Sequence, residues 1–239
     1  MESKTTAFGN VFIGTKESIF KKMLESIASI KAPAPLLGLS GGSTPKAFYT
    51  WCVENKTTAH PIIQNCIWST SDERCVPLDN DDSNFGTLDR MLLTPLGLGN
   101  KKPWPTELEP QKAAEKFNKD WTSAFGANKA FDICFLGMGD DCHTASLFPH
   151  CPLIGSSSEN FQATQWPGKG WRLTITEAGF SNCDKIIIAV LGAGKAKALK
   201  EVLEGGFDPK VKPAQLLKQF SDKVDWLLDA DAAAELSLS

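Results

Sequence analysis

The chain has 239 residues, 42% of them hydrophobic and 22% charged, long enough to bury most of its apolar surface without disulfides or a structural metal. A stapled mini-protein is excluded. Its 25 basic and 28 acidic residues leave a formal charge of −3, so no global positive field gathers it on nucleic acid or an anionic membrane, and an anionic ligand must be caught locally.

The stretch Met1–Thr6 carries an acid and no apolar core, unlike a secretory signal or an Arg-rich transit peptide. The longest wholly apolar run, Ile186–Leu191, falls well short of the ~20 residues that span a bilayer. Seven cysteines, at 52, 66, 75, 134, 142, 151 and 183, form no CxxC pair and fit free thiols in a reducing compartment. A cytoplasmic protein is expected.

Ile19, Phe20, Met23, Leu24, Ile27 and Ile30 recur at helical spacing with Lys21, Lys22 and Glu25 between them, which predicts an amphipathic helix over 16–30. The apolar run 35–40 reads as a buried strand and passes into Gly41-Gly42-Ser43-Thr44-Pro45. There the glycines permit close backbone approach, Ser43 or Thr44 is placed to cap, and Pro45 suits the first position of a helix over 45–54. A helix start with free N–H groups suits a phosphate, although an ordinary capped turn has the same features and the GxxxxGK[ST] pattern is absent. Gly38-Leu39-Ser40-Gly41-Gly42 formally matches GxSxG, but Pro45 starts the helix too late for Ser40 to sit on a nucleophile elbow.

The run 66–70 is the next expected strand, followed by Asp72-Glu73-Arg74. Arg74 has the planar fork to clamp a phosphate, and Asp72 can orient a sugar hydroxyl or the arginine; a surface ion pair is the plainer alternative. The acidic stretch 79–84 is not a calcium loop, because Asn84 stands where the turn glycine belongs and Arg90 where the bidentate glutamate belongs. Helices are expected near 84–93 and 111–124.

A strand over 131–136 ends in Gly137-Met138-Gly139-Asp140-Asp141-Cys142-His143. Cys142 replaces the third glycine of a dinucleotide fingerprint, and Pro149 cuts short the helix expected over 144–148, which argues against a dinucleotide cofactor. Of the three histidines, only His143 lies on a Gly-rich loop after a strand, beside two aspartates. That location makes it a candidate general base as well as a candidate structural residue. Cys142-His143 and His150-Cys151 match no standard zinc spacing, so no metal and no cofactor is expected. Trp171–Thr176 alternates like a strand and carries Arg172, and the strand over 185–191 leads through Gly194-Lys195 into a helix over 193–203. Arg74, Arg172, Lys195 and the Gly41-Gly42-Ser43 turn are converging donors for one phosphate.

Such alternation predicts an α/β fold, a doubly wound, mostly parallel sheet with helices on both faces and ligands beyond the carboxyl ends of its strands. Neither Pro103-Trp104-Pro105 nor the stretch 155–158 is long enough to separate two cores, so one domain over 1–239 is expected.

In these motifs the chain resembles the 6-phosphogluconolactonases, within the larger group that includes the glucosamine-6-phosphate isomerases. The resemblance is carried by Leu39–Pro45, Ser71-Asp72-Glu73-Arg74 with Val76-Pro77 and Ser83-Asn84, Gly137-Met138-Gly139 through His143–Pro149, Arg172-Leu173-Thr174, Gly194-Lys195 and Trp226–Asp229. Leu147 and Phe148 stand where the isomerases end in an AFNEP-like segment, and Arg74 where they have tyrosine, which favours the lactonase branch. The resemblance implies a Rossmann-like fold and hydrolysis of 6-phospho-D-glucono-1,5-lactone to 6-phosphogluconate in the pentose phosphate pathway. It implies a phosphate held by Gly41, Gly42, Ser43, Thr44, Arg74, Arg172 and Lys195 and water activated by His143, with Asp141 or Asp72 orienting the imidazole. The partner it implies is a small phosphosugar lactone; no nucleic acid or membrane partner and a monomer or weak homodimer are expected. The family has glycine where this chain has Cys142, so a positive backbone angle there is expected to cost strain. An amino-sugar-phosphate isomerase and a non-catalytic phosphosugar sensor are the rival readings.

Overall fold

The computed structural model describes residues 1–237; the last two positions of the expected 1–239 domain lie outside them. The chain opens with strands β1 (Glu2–Thr6) and β2 (Gly9–Gly14) and helix α1 (Lys16–Ala28). The Thr15 side chain caps α1 by accepting from the Ser18 N–H, and the helix buries the expected apolar stripe of Ile19, Phe20, Met23, Leu24 and Ile27. Next come β3 (Leu36–Leu39), α2 (Ser43–Glu54), α3 (Lys56–Ile63), β4 (Ile67–Thr70) and β5 (Asp72–Arg74). The helix expected near 84–93 is α4 (Asn84–Leu88) continued by a π-helical turn over Asp89–Leu93. The second half comprises α5 (Pro110–Phe125), β6 (Ile133–Leu136), β7 (Phe161–Trp166), β8 (Gly170–Ile175), α6 (Glu177–Ser181), β9 (Lys185–Val190), α7 (Ala196–Leu203) and β10 (Val224–Asp229).

Seven strands form one sheet in the order β1-β2-β10-β9-β6-β3-β4, parallel throughout except for the antiparallel edge strand β1. The central strands are apolar on both sides because both faces are covered. Along β9, Ile186 and Ile188 pack with α5 and α7, while Ile187 and Ala189 pack with α1 and α2. The doubly wound expectation therefore holds for this sheet.

The strand order places a switch between β3 and β6. After β3 the chain builds β4 outward on one side, then returns to lay β6 on the other side of β3. The segments leaving the carboxyl ends of β3 and β6 diverge there and leave a crevice. A second, three-stranded antiparallel sheet, β5-β8-β7, stands at this end of the main sheet. Ser71 joins the two sheets, donating its N–H to the Leu39 carbonyl and accepting from the Ile175 N–H, at 2.8 and 2.7 Å.

Glu73 anchors this junction. It is fully buried, and its carboxylate accepts from the backbone N–H groups of Arg74, Asn84 and Phe85 at 2.7–2.8 Å and from the Ser83 hydroxyl at 3.1 Å. Burial pushes this carboxyl above the ordinary carboxylate range, against the pull of those backbone donors. Replacing Glu73 with alanine strands the donors in the core, an expected cost of about 3 kcal/mol or more, read as a fall in Tm of about 6–12 °C for a chain of this size. Because the folded pKa is raised, the stabilisation Glu73 contributes is complete below the unfolded value near ~4.3. It declines as pH rises through the folded value, so the gap between wild type and Glu73→Ala should be wider at about pH 4.5 than at pH 8 in thermal melts.

Candidate active site

The crevice at the switch point holds a cavity of about 270 Å³. Nine of the expected site residues line it: Gly41, Gly42, Ser43, Thr44, Asp72, Arg74, His143, Arg172 and Lys195. The tenth, Asp141, stands behind the imidazole.

On the β6 side, the loop 137–143 folds back on itself, with Gly139 N–H to His143 O at 2.9 Å and Cys142 N–H to Gly139 O at 3.0 Å. This turn requires a left-handed residue, and Cys142 supplies it at φ 63°. The thiol is buried and donates to the Ala198 carbonyl of α7 at 3.6 Å, while the Cys142 carbonyl accepts from Ala214 N–H. Asp141 Oδ1 lies 2.5 Å from His143 Nδ1. An acceptor there keeps the proton on Nδ1 and leaves the Nε2 lone pair for chemistry. The hydrogen bond from His143 holds the Asp141 carboxyl down at about 2. Gly139 is obligatory, since a Cβ at that position would fall 2.0 Å from His143 Nδ1.

Asp72 does not touch the imidazole. Its Oδ2 accepts from the Ser146 hydroxyl at 2.8 Å and its Oδ1 from Ser71 at 3.3 Å, so of the two candidate aspartates Asp141 is the one positioned to orient His143. Nor is there a helix over 144–148: Ala145 is left-handed at φ 48°, and Thr144 and Leu147 pair across a tight turn. The turn, which Thr144 ties to the Gly137 carbonyl at 3.0 Å, lets Ser146 reach Asp72.

On the β3 side, α2 begins at Ser43 rather than at Pro45, and its N-cap is Gly42 at φ 108°, with no side-chain cap. Neither Ser43 nor Thr44 caps the helix, and both residues line the cavity, with no side chain capping the backbone N–H groups there. From the small sheet come Arg74 and Arg172, directly opposite one another in the antiparallel register of β5 and β8. Burial, and then the charge of Arg74, lower the pKa of Arg172. Like charges facing each other across a sheet are unfavourable without an anion between them. Arg74 also donates to the Asp82 carbonyl, and Lys195 pairs with Asp140 at 2.6 Å.

Four lining residues carry no signal in the sequence that marks them for this cavity: Asn84, Ser146, Trp166 and Lys169. Asn84 and Ser146 lie inside the motifs above without a chemistry of their own to single them out. The other two lie in the turn Trp166-Pro167-Gly168-Lys169-Gly170, whose Pro-Gly-x-Gly composition marks a hairpin tip. All seven cysteines are unbridged, and among the described residues no group of three or more His, Cys, Asp or Glu side chains is placed to hold a metal ion.

The family described as glucosamine-6-phosphate isomerases/6-phosphogluconolactonase matches residues 15–226. A 6-phosphogluconolactonase of Nostoc sp. is 34% identical over 212 residues, 84% of this chain and 85% of that protein. One of Synechocystis sp. is 32% identical over 207 residues, 84% of each. The crystal structure of a devB protein superposes with a TM-score of 0.83 at 28% identity, covering 95% of this chain and all of that one.

The left-handed Cys142 yields a test. Cys142→Gly relaxes about 1 kcal/mol of backbone strain and loses thiol packing of similar size, so its Tm should stay within a few degrees of wild type. Cys142→Val puts a β-branched residue at φ 63° and should lower Tm by at least about 3 °C, with loss of turnover; thermal melts and kcat measured side by side decide.

Proposed function

The chain belongs to the glucosamine-6-phosphate isomerase/6-phosphogluconolactonase family, and on that premise we propose that it hydrolyses 6-phospho-D-glucono-1,5-lactone to 6-phospho-D-gluconate, a step of the pentose phosphate pathway, with His143 as general base. The carrying observation is that one cavity holds both an imidazole fixed at Nδ1 by a carboxylate and a facing pair of arginines beside an uncapped helix start. Leu147 and Phe148 are both buried apolar side chains after the histidine turn, which leaves no acid there to assist ring opening as the isomerase reading requires.

The phosphate binds between Arg74 and Arg172, with the first-turn N–H groups of α2 and Lys195 as further donors. For Lys195 the phosphate must compete with Asp140. Binding at this end brings the lactone carbonyl to the His143 side of the cavity. His143 Nε2 takes a proton from water as the water oxygen bonds to C1. The tetrahedral intermediate then breaks the bond from C1 to the ring oxygen, and the imidazolium returns the proton to that oxygen. The products are a free ring-oxygen hydroxyl and a carboxylic acid that releases its proton to solvent. Asp141 keeps the imidazole in its working tautomer and stabilises the imidazolium; Asp72, tied to Ser146 and Ser71, is left to contact the sugar.

A cytoplasmic setting is supported by the seven unbridged cysteines. A monomer or weak homodimer is supported by the exposed large apolar residues among the described ones, which are limited to Met1, Leu78, Phe207 and Val211.

Acid release from fresh 6-phosphogluconolactone, corrected for spontaneous hydrolysis, tests the activity directly; no release above background refutes it, and turnover of glucosamine-6-phosphate instead would assign the isomerase reaction. His143→Ala should lower kcat by ~100- to 10,000-fold with little loss of affinity for 6-phosphogluconate. Arg172→Ala should raise KM about tenfold or more with a smaller change in kcat; unchanged KM removes it from the phosphate site.

A further inference from the structure

The imidazole has a second neighbour besides Asp141. Trp166, the last residue of β7, lies with its indole 4.8 Å from the His143 ring, centroid to centroid, the two planes at 76°. Behind it Phe148 stacks on the indole at 5.0 Å and 19°. The same indole carries two cations of the cavity wall, Lys169 Nζ at 4.4 Å and Arg172 Cζ at 6.0 Å from the ring centroid. Trp166 is thus in contact with the general base and with the cationic hairpin at once.

We propose that Trp166 is a positioning residue that couples phosphate capture to the placement of His143. The inference rests on the lactonase reading and adds a component to it. A single hydrogen bond at Nδ1 fixes one ring atom and leaves the ring free to swing about that contact; a plane set against the ring at a steep angle restricts the swing and therefore the direction of Nε2. That direction matters because a general base works only within hydrogen-bond reach of the proton it removes, and a misplacement of about 1 Å can cost ~100-fold.

The cations make the contact responsive. Lys169 and Arg172 sit on the β7–β8 hairpin, whose tip turns through Gly168 at φ 74° and Gly170 at φ 82°, and both line the cavity. A dianion drawn in by Arg74, Arg172 and Lys169 orders the hairpin, and the hairpin holds the indole through the cation–π contacts. Binding energy from the phosphate, remote from the reacting carbonyl, is in this way used to fix the base.

The test uses the full chain as wild type, Trp166→Ala and Trp166→Phe, each checked by thermal melting. On 6-phosphogluconolactone, Trp166→Ala should lose about 10- to 100-fold in kcat, while its Kd for 6-phosphogluconate by calorimetry shifts less than about fivefold; Trp166→Phe, which keeps a ring against the imidazole, should stay within about threefold of wild-type kcat. With D-glucono-1,5-lactone, which has no phosphate, added inorganic phosphite should accelerate wild type and Trp166→Phe but not Trp166→Ala. The proposal is overturned by a Trp166→Ala kcat within about threefold of wild type, by a loss of product affinity as large as the loss of kcat, or by phosphite acceleration that is absent from wild type or persists in Trp166→Ala. Wild type inactive on 6-phosphogluconolactone would refute the lactonase reading itself, a different outcome from an active wild type matched by Trp166→Ala.

Discussion

The contact between Asp141 Oδ1 and His143 Nδ1, at 2.5 Å, constrains the loop around it. To bring a carboxylate two residues upstream back onto the imidazole, the backbone must reverse over a short span, and that reversal forces Cys142 into the left-handed region. It also forces Gly139 to have no side chain, because the imidazole occupies the space a Cβ would need. The chain accommodates the strained residue by burying its thiol against α7 and bonding its carbonyl to Ala214. Strain at a functional loop is sustained in this way wherever surrounding contacts over-determine the backbone.

The second constraint is electrostatic. Two arginines facing each other across β5 and β8 would relax apart if their strands were free, but those strands are held from behind. Glu73 ties β5 to the start of α4 through the backbone N–H groups of Asn84 and Phe85 and the Ser83 hydroxyl, and Ser71 ties the small sheet to the large one. The cation pair is therefore preorganised by buried backbone hydrogen bonds, with Asp72 and Asp82 as the carboxylates that act on Arg172, and it presents positive charge to the cavity. Asp72 and Glu73 are neighbours in the chain with opposite surroundings, the first turned into the cavity wall and the second sunk into the scaffold behind it.

The structure thus divides the work between two sheets. The parallel sheet supplies the glycine turn after β3 and the histidine loop after β6; the antiparallel one supplies Arg74, Arg172, Lys169 and Trp166. Trp166, against the His143 ring, is where they meet at the cavity, and Ser71 is where they meet at the base.

Much of this was legible in the residues. Both faces of the parallel sheet are apolar, so the runs 35–40, 66–70, 131–136 and 185–191 announce themselves without alternation, and glycine turns at their carboxyl ends mark the crevice. Family membership, and the gathering of residues such as Gly41, Arg74, His143 and Arg172 around one cavity, follow from motifs whose chemistry is local. What the sequence left open is what depends on distance across the fold. The N-terminal strands β1 and β2 and the short β5 have too little apolar pattern to stand out. The choice of Asp141 over Asp72, the unwinding of 144–148 into a turn, and the meeting of Trp166 with His143 all depend on backbone torsions and on packing between segments far apart in the chain. Residue type and spacing determine which chemistry is possible; only tertiary packing decides which of two like groups reaches the atom it can act on, because hydrogen bonds and ring contacts fail within about an ångström or two.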